Sequence, residues 1–363
     1  MRTMSLPFGG RRPGRRTSLV VVSLVAATAA LSACGGGSDS GGTSSLDKLT
    51  VVRGTPQVDL LSLIADAKGY FKDEGLEVEL VPPSGSNVPT LIASGKADIA
   101  SYSAPGALLT SQGGRITSTI YGLAGVGFAD YLIGSKSTPD LDALKAKKDC
   151  KIASLPQGTL GYAAVAEFND RLGLDCEHAP FPDVGGIVGA VSSDRADAMV
   201  GALGPYAAAI NKENLPILVD TADDAARAQY FPDGGIESNV YGLAKNLKEK
   251  KASVVAYLKA VNRAREWSMD PANYTEAAKL LATYPGFEGQ SVEQIQADVV
   301  ETSFPFYGPV KGADGGGRVD EPTWQATIDR IATFGIPDYD ADADVNEYAQ
   351  AVDMSYLDDA LQQ

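Results

Sequence analysis

The chain has 363 residues, with 31 basic and 46 acidic side chains, a net charge of −15 and 44% hydrophobic content. That length suits two lobes of ordinary size or one large domain. The acidic balance excludes a nucleic-acid binder, which needs a basic face.

The N-terminus comes first. Arg2, Arg11, Arg12, Arg15 and Arg16 form a basic region, and the 17 residues Thr17–Ala33 carry no charge. That run is shorter than the ~20 residues of a membrane span. A basic flank, a short apolar stretch and small residues at its end describe a signal peptide over residues 1–33. Leu31-Ser32-Ala33-Cys34 resembles the lipobox of bacterial lipoproteins, which implies a lipidated Cys34. The alternative is a plain secreted protein with an incidental Cys. Arg15-Arg16 before Thr17-Ser18-Leu19 resembles a twin-Arg export signal. Removing residues 1–33 leaves 26 basic and 46 acidic residues, a net charge of −20. Residues 34–47 are then a lipidated Cys and a linker, whose GGGSDSGGTSS stretch spans roughly 17–20 Å as a flexible coil.

After the linker, β-rich runs alternate with helical ones. The first set is Leu49–Arg53, Glu77–Val81, Asp98–Ser101 and Ile116–Tyr121. The second is Tyr131–Ser135, Lys151–Leu155, His178–Phe181, Asp197–Val200, Ile217–Asp220 and Asn239–Ala244. Strands alternating with helices predict parallel sheets covered on both faces. Beyond residue 245 the pattern is helical, over Leu247–Met269, Pro271–Tyr284, Val292–Thr302 and Pro322–Phe334, and this C-terminus is expected to pack back on the first lobe.

An internal echo runs through the two sets. Pro83 lies fourteen residues before Ala97, and Pro182 fourteen before Ala196; Ser94, Lys96 and Asp98 match Ser193, Arg195 and Asp197. Two similar α/β lobes explain this, although short matches also arise by chance. The expected division is 48–128 plus 243–363 for one lobe and 129–242 for the other, with crossovers at Gly122–Asp130 and Asn239–Tyr241. Cys150 and Cys176 each start a predicted strand. Exported thiols tend to pair, so a disulfide is expected if those strands are parallel neighbours; otherwise both are buried free thiols.

In open parallel sheets the ligand sits beyond the carboxyl ends of the strands. Thr55 and Gln57 follow the first strand; Ser84, Gly85 and Ser86 follow the second; Tyr102, Ser103 and Ala104 follow the third. In the second lobe the matching positions are Thr159, Leu160 and Gly161, then Asp183, then Gly204 and Tyr206. These loops are small, hydroxyl-bearing and Gly-rich, and most open a helix. Converging helix N-termini offer unpaired N–H groups and partial positive charge to an oxyanion, with Ser84, Ser86, Ser103 and Thr159 as added donors. Each Ser, Thr or Asp also suits an ordinary helix cap. Tyr102, Tyr162 and Tyr206 read either as aromatics flanking a flat ligand or as half-buried packing residues.

Ala67-Lys68-Gly69-Tyr70-Phe71-Lys72-Asp73-Glu74-Gly75-Leu76-Glu77-Val78 resembles the opening signature of solute-binding proteins for nitrate, taurine and aliphatic sulfonates, which thiamine-pyrimidine-precursor binders share. Gly95-Lys96-Ala97-Asp98-Ile99-Ala100 resembles the second signature of that superfamily, and Pro205-Tyr206 its Asp-Pro-Tyr element, with Gly204 in place of the acidic residue. The resemblance covers roughly residues 49–335. It implies an α/β protein with the type II periplasmic-binding fold, two lobes around a hinged cleft, and delivery of a small molecule to an ABC permease. A monomer, lipid-anchored at the outer face of the cytoplasmic membrane and needing no cofactor, is expected. The pocket loops hold no His or basic residue, which points to a sulfonate or taurine-like ligand or to a pyrimidine-like heterocycle rather than nitrate.

Three other classes are weighed, one of them a purely structural envelope protein, which needs no cleft. The same fold hosts pyrimidine-synthesising and menaquinone-pathway enzymes, but the single His, His178, falls in a strand start. Neither a Cys/His metal cluster, nor a nucleophile elbow, nor a phosphate loop is present in the sequence. A ligand-sensing lipoprotein of the same fold is indistinguishable from an importer subunit by sequence.

Overall fold

The computed structural model describes residues 47–54, 59–82, 88–125, 131–156, 159–221, 223–232, 234–307, 316–335 and 339–362. Residues 45–363 form one compact unit. The signal-peptide stretch, Cys34 and the linker up to residue 46 lie outside the described residues, as do Thr55, Gln57, Ser84, Gly85 and Ser86.

The chain opens with β1 (Asp47–Arg53), α1 (Leu60–Ala67), α2 (Tyr70–Asp73), β2 (Leu76–Val81), α3 (Val88–Ala93), β3 (Ile99–Ser103), α4 (Ala104–Gln112) and β4 (Thr117–Gly125). It continues with β5 (Tyr131–Gly134), α5 (Leu141–Lys145), β6 (Lys151–Ser154), α6 (Leu160–Leu172), β7 (Glu177–Pro180), α7 (Val184–Ser192), β8 (Ala198–Gly201), α8 (Leu203–Glu213), β9 (Ile217–Val219), α9 (Asp224–Tyr230) and β10 (Ile236–Leu243). One sheet has the order β2-β1-β3-β10-β4, the other β7-β6-β8-β5-β9.

Both sheets are mixed, which corrects the expectation of parallel ones. The trios β2-β1-β3 and β7-β6-β8 are parallel, but β10 runs antiparallel to β3 and β4, and β5 antiparallel to β8 and β9. Each antiparallel strand is the first to follow a crossing between sheets. It enters from the carboxyl edge and must run back down the sheet. A second correction concerns β10. Asn239–Ala244 was expected among the strands of the second lobe, with that lobe ending at 242, yet β10 pairs β3 and β4 of the first sheet. The return crossing therefore precedes Ile236, where Gly234 and Gly235 take φ of +74° and +109°, a backbone region that glycine enters without strain.

The helical C-terminus comprises α10 (Ala244–Glu249), α11 (Lys251–Ser268), α12 (Tyr274–Leu281), α13 (Val292–Ile295), α14 (Glu301–Ser303), α15 (Glu321–Arg330), α16 (Tyr348–Ala351) and α17 (Ser355–Leu361). The expected helix over Leu247–Met269 breaks at Lys250. A π-helical turn, Ile331–Gly335, continues α15.

The cores follow the same division. Leu49, Val51, Leu61, Ile64, Phe71 and Ile99 pack with Tyr257, Leu258, Trp324 and Ile328 from the C-terminal helices. The opposite face of that sheet packs Val52, Val88, Ile92, Ala100 and Tyr241. The second sheet is sandwiched by two clusters drawn only from residues 131–231, one around Leu132, Ile152, Phe168 and Phe231, the other around Ile133, Ile187, Met199 and Tyr206. Burial of each large apolar side chain contributes roughly 1.5–3 kcal/mol.

The echo has a structural counterpart. Asp98 accepts from the Thr50 N–H at 2.8 Å, and Asp197 from the Lys151 N–H at 2.8 Å. Each also pairs backbone to backbone with the same residue, at 2.9 and 2.8 Å, and each holds a lysine, Lys250 at 2.8 Å and Lys147 at 2.5 Å. Gly95 and Asp194, equivalent in the echo, both take positive φ, +69° and +54°. One aspartate thus ties β3 to β1, and the other β8 to β6. Cys150 and Cys176 form a disulfide where β6 and β7 begin as parallel neighbours.

Candidate ligand cleft

Strand register places the candidate loops on one edge of each sheet. In the first, Val52 pairs Val81 and Arg53 pairs Ser101, and the Gly54 N–H donates to the Ser101 carbonyl at 2.8 Å. In the second, Ser154 pairs Pro180, Ala153 pairs Met199, and the Phe181 N–H donates to the Ser154 carbonyl at 2.9 Å. The carboxyl tips of each parallel trio therefore lie side by side.

The crossings bring these two edges together. Gly125 at the end of β4 pairs Ile236, and Ser103 at the end of β3 pairs Ser238, so β4 leaves the first sheet at its tip edge. Tyr131 opens β5 opposite Gly201, the last residue of β8, so β5 enters the second sheet at its tip edge. Only residues 126–130 lie between, a reach of about 20 Å at most. The helix-opening ends of both lobes thus lie along the two edges that this crossing joins, which makes the space between them the candidate cleft.

Within it, Ala104 opens α4 behind Ser103. Ser103 stands at the N-cap position without a side-chain capping bond and is half-buried. Tyr102 is also half-buried, opposite Asn239 on β10, and burial pushes its phenol up from the ordinary value. Leu160 and Gly161 form the first turn of α6, and Gly204 that of α8. A Cβ on Gly161 would sit 3.5 Å from that of Ser154, so the turn lies directly over the β6 tip.

Three of the expected residues are engaged by the protein itself. The Thr159 hydroxyl donates to the Pro156 carbonyl at 2.7 Å and accepts from the Tyr162 N–H at 3.3 Å; its proton is committed to the protein and is no donor for a ligand. Asp183 caps α7 through the Gly186 N–H at 2.8 Å. Tyr206 is 4% exposed and belongs to the core with Ile187 and Met199. Its ring covers Gly201, where an added Cβ would lie 2.1 Å from it, and burial raises its pKa. It does not line an open cleft.

Several polar residues beneath the tips escaped the sequence reading. Arg53, the last residue of β1, is 5% exposed, so a basic group does stand at the tip edge, and its Nε has no hydrogen-bond partner among the described residues. Asp59 caps α1 and is fully buried; desolvation raises its pKa against the opposing pull of Arg53. The Ser62 and Tyr257 hydroxyls lie 2.8 Å apart, and the Tyr307 hydroxyl accepts from the Leu60 N–H at 3.3 Å. Glu237, Ser238 and Asn239 are three successive buried polar residues at the start of β10. A polar triplet entering a sheet beside a crossing is the pattern that could have flagged them. In the second lobe, His178 Nε2 lies 2.8 Å from the Ser154 hydroxyl, and its ring meets Tyr162 edge-on at 4.9 Å. Burial lowers the His178 pKa. Among the described residues no cluster of His, Cys, Asp and Glu fits a metal ion, and no helix is long and apolar enough to cross a membrane.

Two mixed α/β lobes, joined by crossings at their strand tips, define the type II periplasmic-binding-protein fold. Residues 60–273 match the model of the NMT1/THI5 like family, and the chain belongs to that family. Among solved structures, it is similar to a ligand-binding component of an ABC-type import system from Staphylococcus aureus (TM-score 0.64, 14% identity, 87% of this chain and 99% of that one). It is similar also to the periplasmic nitrate-binding protein NrtA of Synechocystis PCC 6803 (TM-score 0.64, 13% identity, 87% and 88%). A curated relative, the 4-amino-5-hydroxymethyl-2-methylpyrimidine phosphate synthase of Candida albicans, is 36% identical over 120 residues, 31% of this chain and 32% of that protein. The chain thus spans about a third of the length of that relative.

Proposed function

We propose that this protein is the extracytoplasmic solute-binding subunit of an ABC importer. It is exported, anchored through Cys34 at the outer face of the cytoplasmic membrane, and monomeric. It captures a small organic ligand between its lobes and presents the closed form to a permease. The observation that supports this most directly is the convergence of helix-opening strand tips from both sheets on one crossing edge. Such a site holds a ligand by N–H groups and partial helix charge rather than by a reactive side chain. A ligand touching both lobes favours the closed form by its differential contacts. Micromolar capture needs about −8 kcal/mol, within reach of several bridging hydrogen bonds and one aromatic contact.

The ligand classes are a sulfonate of the taurine type and a substituted pyrimidine. The helix N-termini favour the first; the pyrimidine named in the Candida albicans relative favours the second. That relative is named as a synthase, which gives a second reading in which the cleft converts its ligand. Thermal-shift and calorimetric titration of residues 45–363 with taurine, alkanesulfonates, nitrate, aminopyrimidines and amino acids decides among them. One class should raise the melting temperature, by a stabilisation of about 4 kcal/mol at a thousandfold excess over Kd. Mass spectrometry after incubation should recover that ligand unchanged. A panel with no binder would overturn the transport reading, and a converted ligand would establish the enzymatic one.

A further inference from the structure

Beside the return crossing, the lobes also meet through buried charge. Glu167 on α6 is 1% exposed, Glu237 on β10 is 0% exposed and Arg330 on α15 is 8% exposed. Arg330 Nε donates to Glu167 at 2.7 Å, and its Nη1 to Glu237 at 3.4 Å. On α6 itself, Arg171 Nε donates to Glu167 at 2.9 Å, one turn away. Ala164, Val165 and Phe168 fix α6 in the second lobe's core, while Trp324 and Ile328 fix α15 in the first lobe's core. Thr327 also ties α15 to β10 by accepting from the Ile236 N–H at 2.9 Å. The Arg330–Glu167 contact therefore crosses between lobes, whereas Arg330–Glu237 and Arg171–Glu167 each lie within one. A cavity of about 460 Å³ surrounds the crossing contact, lined from one side by Glu167, Arg171 and Phe231 and from the other by Gln325, Arg330 and Phe334. It leaves room for side chains to exchange partners.

We propose that these four residues form an interlobe latch that sets the balance between open and closed forms. Arg330 grips Glu167 when the lobes are closed. As they part about the glycines at 234 and 235, Arg330 keeps Glu237 and Glu167 keeps Arg171. Neither state strands a buried charge, the outcome that makes breaking most buried pairs costly. The contact is switchable because each side has a second partner in its own lobe. This rests on the two-lobed fold and not on any ligand, so it stands or falls separately from the transport reading.

The test is the distribution of interlobe distances in residues 45–363 without ligand. It uses spin labels at K72C on α2 and K145C on α5, both at exposed positions. E167Q and R330Q should each raise the ratio of long to short separations by about tenfold or more, and E237Q, which removes the partner that Arg330 keeps in the open form, should lower it. R171Q, at a half-exposed site, removes the partner that receives Glu167 in the open form and should shift the distribution towards short separations. Native circular dichroism qualifies each variant. An unchanged distribution in the folded members of the E167Q and R330Q pair overturns the latch. If neither of those folds, an R171Q distribution that is unchanged or longer overturns it.

Discussion

Thr159 and Ser103 each stand at the N-cap of a helix that follows a strand tip, with different amounts of hydrogen bonding to spare. A hydroxyl has one proton and two lone pairs. Thr159 gives its proton to Pro156 and one lone pair to Tyr162, so it acts chiefly as the cap of α6. Thr159→Ala should lower stability by about 1 kcal/mol, while Thr159→Ser restores it; chemical denaturation reads both. Ser103 makes no capping bond, so Ser103→Ala should leave the melting curve near the parent's and weaken ligand binding, as titration calorimetry will measure. Unchanged affinity would remove Ser103 from the site. Tyr206 behaves differently again. Its ring fills the space over Gly201, so Tyr206→Ala should cost about 3–5 kcal/mol as a core truncation. Gly201→Ala should also destabilise, since strand backbone and ring cannot both stay in place. The sequence shows an aromatic beside a strand tip; it does not show which way the ring folds. Arg53 and Asp59 went unnoticed for the same reason, as nothing local marks a charged residue that tertiary packing buries.

Among elements, every strand expected from β-rich runs exists within a few residues of its place, because short apolar runs bounded by Gly and Pro carry that signal locally. The direction of the antiparallel strands and the sheet membership of β10 were not legible. β10 reads like any other strand, and only its pairing with Ser103 and Gly125 places it in the first sheet. The tips of β1, β2 and β3 were legible because parallel strands share an orientation. The polar start of β10, between β3 and β4, was not. The disulfide belongs to this scale. It closes a loop with a sequence separation of 26 between the starts of β6 and β7, worth about 3.5 kcal/mol in the chain-entropy model. Cys150→Ala with Cys176→Ala should destabilise the second lobe by roughly that amount, and hydrogen exchange should rise in β6, α6 and β7 ahead of the first sheet. Equal acceleration in both lobes would mean that they unfold as one unit.

At the scale of the whole molecule, the two lobes are built unequally. The second is one continuous stretch, and both of its core clusters come from residues 131–231. The first is assembled from two distant stretches: β1 to β4 supply one half of its core, while Val240, Tyr257, Leu258, Trp324 and Ile328 supply the other. A fragment of residues 129–235, about 100 residues long, is within the range of independent domains and carries its own disulfide. It loses Arg330 as a partner for Glu167 but keeps Arg171. It should fold alone, with a dispersed amide spectrum and a cooperative melt. A fragment of residues 45–128 lacks α11 and α15, which cover the face of the first sheet that bears Val51 and Ile99, and it lacks β10 between β3 and β4. It should remain unfolded by the same spectrum until residues 236–363 are added. If 45–128 folded unaided, or 129–235 did not, cohesion within each lobe would not follow the core clusters, and closure could not be treated as the motion of two rigid bodies.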